Sequence, residues 1–328
     1  MRYWRQILRF FVSLQLLPAL ESGEETLVGG QAVVEGVMMR SPHAWAIAIR
    51  KPDGQITTHS QTLVRPSEKR KWLGWPFIRG IATLGQAMKL GFVASKFSLD
   101  VGLASIAEEE GEKAPKISNW MMTVNMIFSI GFFIFMYKFV PLAAATGLKK
   151  HFLALNNNFL FNLVDGAVRI ALFLLFVWGI SLFKDIKRIY HYHGAEHKTV
   201  FAFEDHGMPN IKQAQAYSTY HPRCGTSFLM TIMLICIFVY AAFPVQTFWG
   251  KFALRIVFLP VIASVSYELI RFSAKHGKSI FALMTKPGLW LQRITTQPPT
   301  DDQVECAIVA LQQAMELEAK HGGELVIA

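Results

Sequence analysis

The sequence predicts a mostly α-helical, polytopic membrane protein with four transmembrane helices, a small N-terminal antiparallel β region and an amphipathic interfacial or re-entrant helix. Three observations predict it. The chain of 328 residues is 52% hydrophobic and only 17% charged, too apolar for an ordinary soluble domain. Its apolar residues gather in the second half as runs long enough to cross about 30 Å of hydrocarbon at about 1.5 Å per helical residue. Between Leu27 and Val64, by contrast, short alternating apolar runs are punctuated by turn residues.

Taken in order, residues 1–26 carry Arg2, Arg5 and Arg9 ahead of an apolar stretch over 10–20. No small-residue cleavage site follows, so an uncleaved amphipathic segment on the membrane is expected. Residues 27–70 form a small cytoplasmic β region, with turns at Ser41-Pro42 and Pro52-Asp53-Gly54. Its glycines, Gly29, Gly30 and Gly36, match neither a dinucleotide fingerprint nor a P-loop, and tight turns or close backbone contacts account for them. Residues 71–116 hold an interfacial helix and an acidic linker. Over 76–99 the apolar Phe77, Ile81, Leu84 and Met88 fall in a different sector of the helical wheel from Arg79, Gln86, Lys89 and Lys96. Gly80, Gly85 and Gly91 would let this helix pack on a span, which leaves a re-entrant course open.

The membrane domain, 117–272, contains spans at 117–137, 159–183, 226–249 and 252–272, the last two forming a hairpin. A His-rich loop, 184–225, joins the second span to the third. Residues 273–328 form a cytoplasmic tail. There Thr300-Asp301-Asp302-Gln303 opens a helix expected to run to Lys320, with Val304, Ala307, Ile308 and Leu311 on its apolar face. The stretch from Pro287 to Arg293 is expected along the interface.

Positive charge sets the orientation. Arg50, Lys51, Arg65, Lys69, Arg70 and Lys71 precede the first span, and Lys184, Lys187, Arg188, Lys198 and Lys212 follow the second. Arg271, Lys275, Lys278 and Lys286 follow the fourth, whereas the opposite connectors offer Lys149, Lys150 and Lys251. Both termini and the central loop are therefore expected in the cytoplasm. The net charge of +10 forms no compact stripe interleaved with aromatics, so the lipid bilayer and not nucleic acid is the expected partner. Three scattered cysteines, Cys224, Cys236 and Cys306, exclude a disulfide framework and suit a reducing compartment.

Candidate chemistry concentrates in the connector between spans two and three. It carries His191-Tyr192-His193-Gly194-Ala195-Glu196-His197-Lys198, then Glu204 and His206, then His221-Pro222-Arg223-Cys224-Gly225. His193 to His197 fits H-x-x-E-H, which on a helix puts two imidazoles one turn apart with Glu196 between them as a general base. His221 and Cys224, at H-x-x-C spacing, offer further ligands. The same imidazoles also suit a membrane interface, hydrogen-bonded to carbonyls or headgroups, and Gly194 weakens the helix that a metal motif needs.

Within the spans, Asp165 and Arg169 are spaced to neutralise one another as a structural pair. Glu268 lies near the cytoplasmic end of the fourth span, where it either completes a metal site or pairs with Arg271 or snorkels toward water.

Four motifs, running from Gly29 to Arg40, from Tyr192 to Thr199, from His221 to Phe228 and from Pro287 to Arg293, together resemble the YqhQ-like family of bacterial membrane proteins, a domain of unknown function. The resemblance covers about residues 27–312 and implies a bacterial inner-membrane protein that is a predicted metal-dependent enzyme. It carries that expectation onto His193, Glu196, His197, His221 and Cys224. The leading expectation is a metal-dependent hydrolase at the cytoplasmic face, with His193 and His197 as ligands and Glu196 as general base. His221, Cys224 or Glu268 would close the site around a divalent metal, for which zinc is natural given mixed N, S and O donors. The rival expectation is a non-catalytic assembly or accessory factor that docks a membrane-protein partner, with a structural metal or none. A transporter fits less well, because neither an internal repeat nor a pair of broken helices is visible.

Overall fold

The computed structural model describes residues 28–113, 115, 118–222, 224–275 and 280–321; the segment expected at 1–26 lies outside them. Strands β1 (Gly29–Val33), β2 (Gly36–Arg40), β3 (Ala44–Arg50) and β4 (Ile56–Thr62) form an antiparallel meander in sequence order. Met38 stands opposite Ile47, and Ala48 opposite Thr58. The turns fall where the sequence marks them: the Ser41 amide donates to the Ala44 carbonyl at 2.8 Å, and Gly54 takes a φ of +85°. Side chains alternate along a strand, and here both faces are apolar. Val33, Met38, Trp45, Ile47 and Ile49 are buried on one, Val37, Met39 and Ala48 on the other.

Helix α1 (Ile78–Glu110) covers the first face with Leu90 and Ala94. It is longer than the sequence pattern indicates, because the acidic stretch at Glu108 to Glu110 forms its last turn before Gly111 ends it in the left-handed region. Its length and apolarity suffice to cross a membrane, yet 56% of its most apolar window is buried within the protein, against 28% for each of two other lipid-length helices. The sheet is thus one reason for its apolarity. Gly80 packs on the Tyr267 side chain, whereas Gly85 meets nothing.

Helix α2 (Asn119–Ile134) continues through a π-helical turn (Phe135–Phe139) into α3 (Val140–Lys149). The expected end of the first span at Tyr137 is corrected: Lys138 does not stop the helix, because it turns inward and its Nζ lies 3.2 Å from the Tyr240 hydroxyl. Helix α4 (Asn158–Ser181) is capped by the Asn157 side chain. Ile127, Phe128, Leu175 and Trp178 project outward from α2 and α4 as exposed apolar surface of the kind that lipid covers.

The expected loop at 184–225 is largely helical, comprising α5 (Lys184–His206) and the short α6 (Ile211–Gln215). Helix α7 (Gly225–Ala241) is about 26 Å long and stops before Pro244, short of the expected end at 249. Helices α8 (Phe248–Val257) and α9 (Leu259–Lys275) meet at a 48° bend. Pro260, which lacks an amide hydrogen and crowds the carbonyl four residues back, accounts for the break. The expected continuous fourth span is thus interrupted, as a broken span or a re-entrant loop. In all, Ile78–Glu110, Thr123–Lys149 and Asn158–Ser181 are long and apolar enough to cross a membrane, with the bent α8–α9 pair as a fourth if it is one span.

Helix α10 (Ile280–Thr295) carries the stretch from Pro287 to Arg293, with Trp290 exposed on one side and the other side packed within the protein. Leu291 and Gln292 are buried, and Gly288 lies against Ser227 so closely that a Cβ would stand 2.3 Å from its Cα. Helix α11 (Asp301–His321) matches the expected helix. It packs Val304, Cys306, Ala307, Ala310 and Leu311 with Tyr192 and Ala195 of α5 onto the second face of the sheet.

Candidate metal centre

Helix α5 runs between the sheet, α11 and the apolar helices. Ile189, Tyr192, Ala195 and Val200 are buried on it, which leaves positions 193, 196 and 197 on an adjoining sector. Gly194 does not break the helix. A Cβ there would lie 2.0 Å from the carbonyl oxygen of Gln297, so the bare backbone lets the segment after α10 cross α5 closely. That crossing brings carbonyls to the imidazoles. His193 Nδ1 lies 2.9 Å from the Thr295 carbonyl, and His191 Nδ1 2.6 Å from that of Pro298. His197 Nδ1 is held in the same way by the Thr219 carbonyl at 2.5 Å.

A carbonyl only accepts a hydrogen bond, so Nδ1 of His193 and of His197 carries the proton and each Nε2 presents a lone pair. The ring centroids are 4.5 Å apart. Cys224, the N-cap of α7, brings Sγ 3.4 Å from His193 Nε2 and 3.2 Å from Thr226 Oγ1. One donor atom from each of His193, His197 and Cys224 lies within 4.8 Å of the others. Two imidazole nitrogens and a sulfur at the N-terminus of a helix, where negative charge is favoured, form a donor set that could hold a divalent transition metal. The carbonyls behind the two rings supply the outer support that ligating histidines require.

Glu196 stands beside this group. Its Oε2 is 3.8 Å from His193 Nε2 and 3.7 Å from His197 Nε2. Gly30 of β1 is set against it, for a Cβ at Gly30 would lie 2.6 Å from Glu196 Cγ. His221 is adjacent but outside the three. Its ring lies 5.6 Å from that of His197 and 4.3 Å from that of Phe201, and its Nε2 is 3.7 Å from Glu204 Oε2. Gln292 grips its backbone, accepting from the amide at 2.7 Å and donating to the carbonyl at 2.8 Å.

Glu268 is not brought to the cluster. Arg79 Nε and Nη2 donate to its two oxygens at 2.7 and 2.6 Å, and the Phe77 amide donates at 3.2 Å. The hydrogen-bonded partner is Arg79, because the start of α1 packs directly on α9, and the expected Arg271 adds its charge nearby. Of the five ligand candidates in the sequence, three converge, His221 lines the periphery, and Glu268 fastens two helices.

Burial sets the remaining titrations nearby. The Lys198 ammonium is lowered by burial while donating to the carbonyls of Gln215 and Tyr217, each at 2.7 Å. The Cys306 thiol, buried between sheet and α11, is pushed up to about 12 and donates to the Ala48 carbonyl at 3.1 Å.

The carbonyls of Thr219 and Thr295 leave no mark in a sequence. Gly30, Gly288 and Gln292 do, since each falls in one of the four motifs, and the structure gathers all four motifs around α5 and the start of α7.

No solved structure matches the chain. The chain is similar to the "Uncharacterized protein YqhQ" of Bacillus subtilis (strain 168), 32% identical over 298 residues that cover 89% of this chain and 93% of that protein. The family model described as "Protein of unknown function (DUF1385)" matches residues 75–317, a span that takes in α1, the apolar helices and the His193, His197 and Cys224 cluster. The chain belongs to the DUF1385 family.

Proposed function

We propose that this chain is a multi-pass protein of the bacterial inner membrane that binds a divalent metal, zinc by its donor set, at His193, His197 and Cys224 for hydrolysis at the cytoplasmic face. The observation that carries the reading is the convergence of two Nε2 lone pairs and one Sγ within 4.8 Å, each imidazole braced from behind by a carbonyl. Mixed N and S ligation suits zinc, which when bound supplies Lewis acidity and lowers the pKa of water. Thr295 and Thr219 fix the two rings. Glu196 is the general base, held between the imidazoles and backed by Gly30 so that its carboxylate can take a proton on the cluster side. His193 is the most exposed of the group, which makes its side the approach for substrate.

The orientation rests on the excess of Lys and Arg flanking the sheet, α5 and the tail. Its support is that these three pack into one core and so must share a side. Cysteine labelling in intact cells tests it: a reagent that does not cross the membrane should reach a cysteine introduced at Lys150 and not one introduced at Lys212.

The catalytic assignment is tested with Glu196→Gln. The zinc-loaded variant should keep its metal and lose hydrolysis of a panel of chromogenic carboxylic and phosphate esters by about 10²–10⁴-fold. Unchanged turnover in the variant, or no turnover in the wild type, would remove the hydrolase reading. Burial of His197, Glu196 and Cys224 favours a second reading, a structural metal in an accessory factor that docks a membrane-protein partner. In that case the metal-bearing wild type is inactive on every ester, and metal removal unfolds the cytoplasmic core.

A further inference from the structure

The apolar helices carry a second polar cluster, at the opposite end of α7 from Cys224. Tyr240 lies about 24 Å along that helix from it. Lys138 on the π-helical turn, Arg169 on α4 and Arg255 on α8 are 5%, 1% and 1% exposed. All three face the Tyr240 ring, with the Lys138 Nζ 5.7 Å and the guanidinium carbons of Arg169 and Arg255 5.4 and 5.2 Å from its centroid. Among the described residues one carboxylate answers them. Asp165 pairs with Arg169 and lies 3.0 Å from Arg255 Nη2.

Positive charge is therefore in excess among buried side chains, where an uncompensated charge is costly. Arg169 Nη1 and Arg255 Nε are buried and donate to no group among the described residues. The backbone is irregular on both sides of the cluster, at the π-helical turn that carries Lys138 and at the bend after Arg255. Membrane helices tolerate such interruptions where they line a polar site. A cleft reaches Arg255, Asn162 and Tyr240 from outside, past Asn158 and Lys251. The cleft has room of about 10 Å³, enough to seat one water-sized atom.

We propose that the cleft at the Arg255 side of this cluster is a binding site for a phosphate-type oxyanion, with one oxygen seated in the cleft against Arg255 and Asn162 and the rest of the group at the mouth beside Lys251. Of the three buried cations Arg255 lines the cleft, and its guanidinium with the Lys251 ammonium at the mouth are donors of the kind that such an anion uses. The mouth lies at the first turn of α4 and α8, the end of a span where lipid headgroup phosphates and dissolved phosphate both have access. The site does not depend on the metal reading.

Full-length protein in a phosphate-free glycoside detergent tests the proposal by ligand-dependent thermal unfolding. One arm titrates sodium phosphate against sodium chloride at equal ionic strength. The other titrates a short-chain phosphatidylglycerol against the matching diacylglycerol. Stabilisation by either phosphate-bearing probe beyond its control supports the site, and the arm that responds identifies the source as soluble anion or headgroup. Arg255→Gln should weaken the response by about tenfold or more. Lys251→Gln, at the partly exposed mouth, should weaken it too and serves if Arg255→Gln fails to fold. Absence of stabilisation in both arms, or an undiminished response in Lys251→Gln, would overturn the proposal.

Discussion

Gly194 of α5 lies beneath the carbonyl of Gln297 with no room for a side chain, since a Cβ would stand 2.0 Å from that oxygen. The residue that weakens the helix on propensity alone is what lets the strap after α10 cross it, which holds the end of α10, with its Thr295 carbonyl, against His193. Helix propensity and the needs of the site conflict at this position, and close packing prevails.

Gly194→Ala should therefore destabilise the protein by about 1–3 kcal/mol through overpacking against a backbone that cannot yield. Thermal unfolding in detergent measures this, and a helix-favouring gain in stability would show that the strap moves freely.

Glu268→Gln should leave metal content unchanged while lowering stability by about 1–3 kcal/mol, because Arg79 loses its charged partner between α1 and α9. Metal analysis and unfolding on the same preparation separate the two effects. Loss of metal would return Glu268 to the ligand set.

Asp165→Asn should be more damaging, by about 3–5 kcal/mol, because it strands Arg169 and Arg255 without their shared carboxylate. A variant of near wild-type stability would mean that these cations already have another counterion.

The docking of α11 should depend on pH. Ser41 Oγ and the His43 amide donate to Glu318 Oε2 at 2.7 and 2.6 Å, and His43 Nδ1 lies 2.8 Å from Oε1. Burial opposes ionisation of Glu318, but the bonds from His43 and Ser41 outweigh it and hold the acid below its ordinary value of 4.5. Burial likewise opposes protonation of His43, but its bonds to Glu318 and Glu68 outweigh it and raise the imidazole above 6.5. The depressed acid contributes stability above pH 4.5 that is lost as pH falls through its folded pKa. The raised base contributes stability below pH 6.5 that is lost as pH rises through its folded pKa. Amide exchange in α11, corrected for intrinsic rate, should be better protected at about pH 5.5 than at about pH 8. The difference should vanish in His43→Ala; equal protection in the wild type would contradict the clamp.

The sheet and α11 were legible because their signals are local: turn residues at Ser41-Pro42 and Pro52-Asp53-Gly54, period-two alternation, and a cap at Thr300. The H-x-x-E-H pair was legible for the same reason, as one helical turn. Span boundaries were not, because Lys138 reads as the end of a span until Tyr240 is seen beside it, and the fourth apolar run reads as continuous until the bend at Pro260 is seen. Partner choice was the other loss. Nothing in the order of residues says that Glu268 meets Arg79, far away in sequence, or that Cys224 and not His221 completes the cluster, since both follow from how α1 and α7 pack.

The most direct test of the account is metal analysis of the detergent-purified full-length chain beside His193→Ala/His197→Ala and Cys224→Ser. About one divalent ion per chain is expected in the wild type, near none in the double variant, and a weakened complement in Cys224→Ser, with Glu268→Gln as the unaffected control. A metal content that is negligible in the wild type, or that the double variant retains in full, would contradict the metal centre.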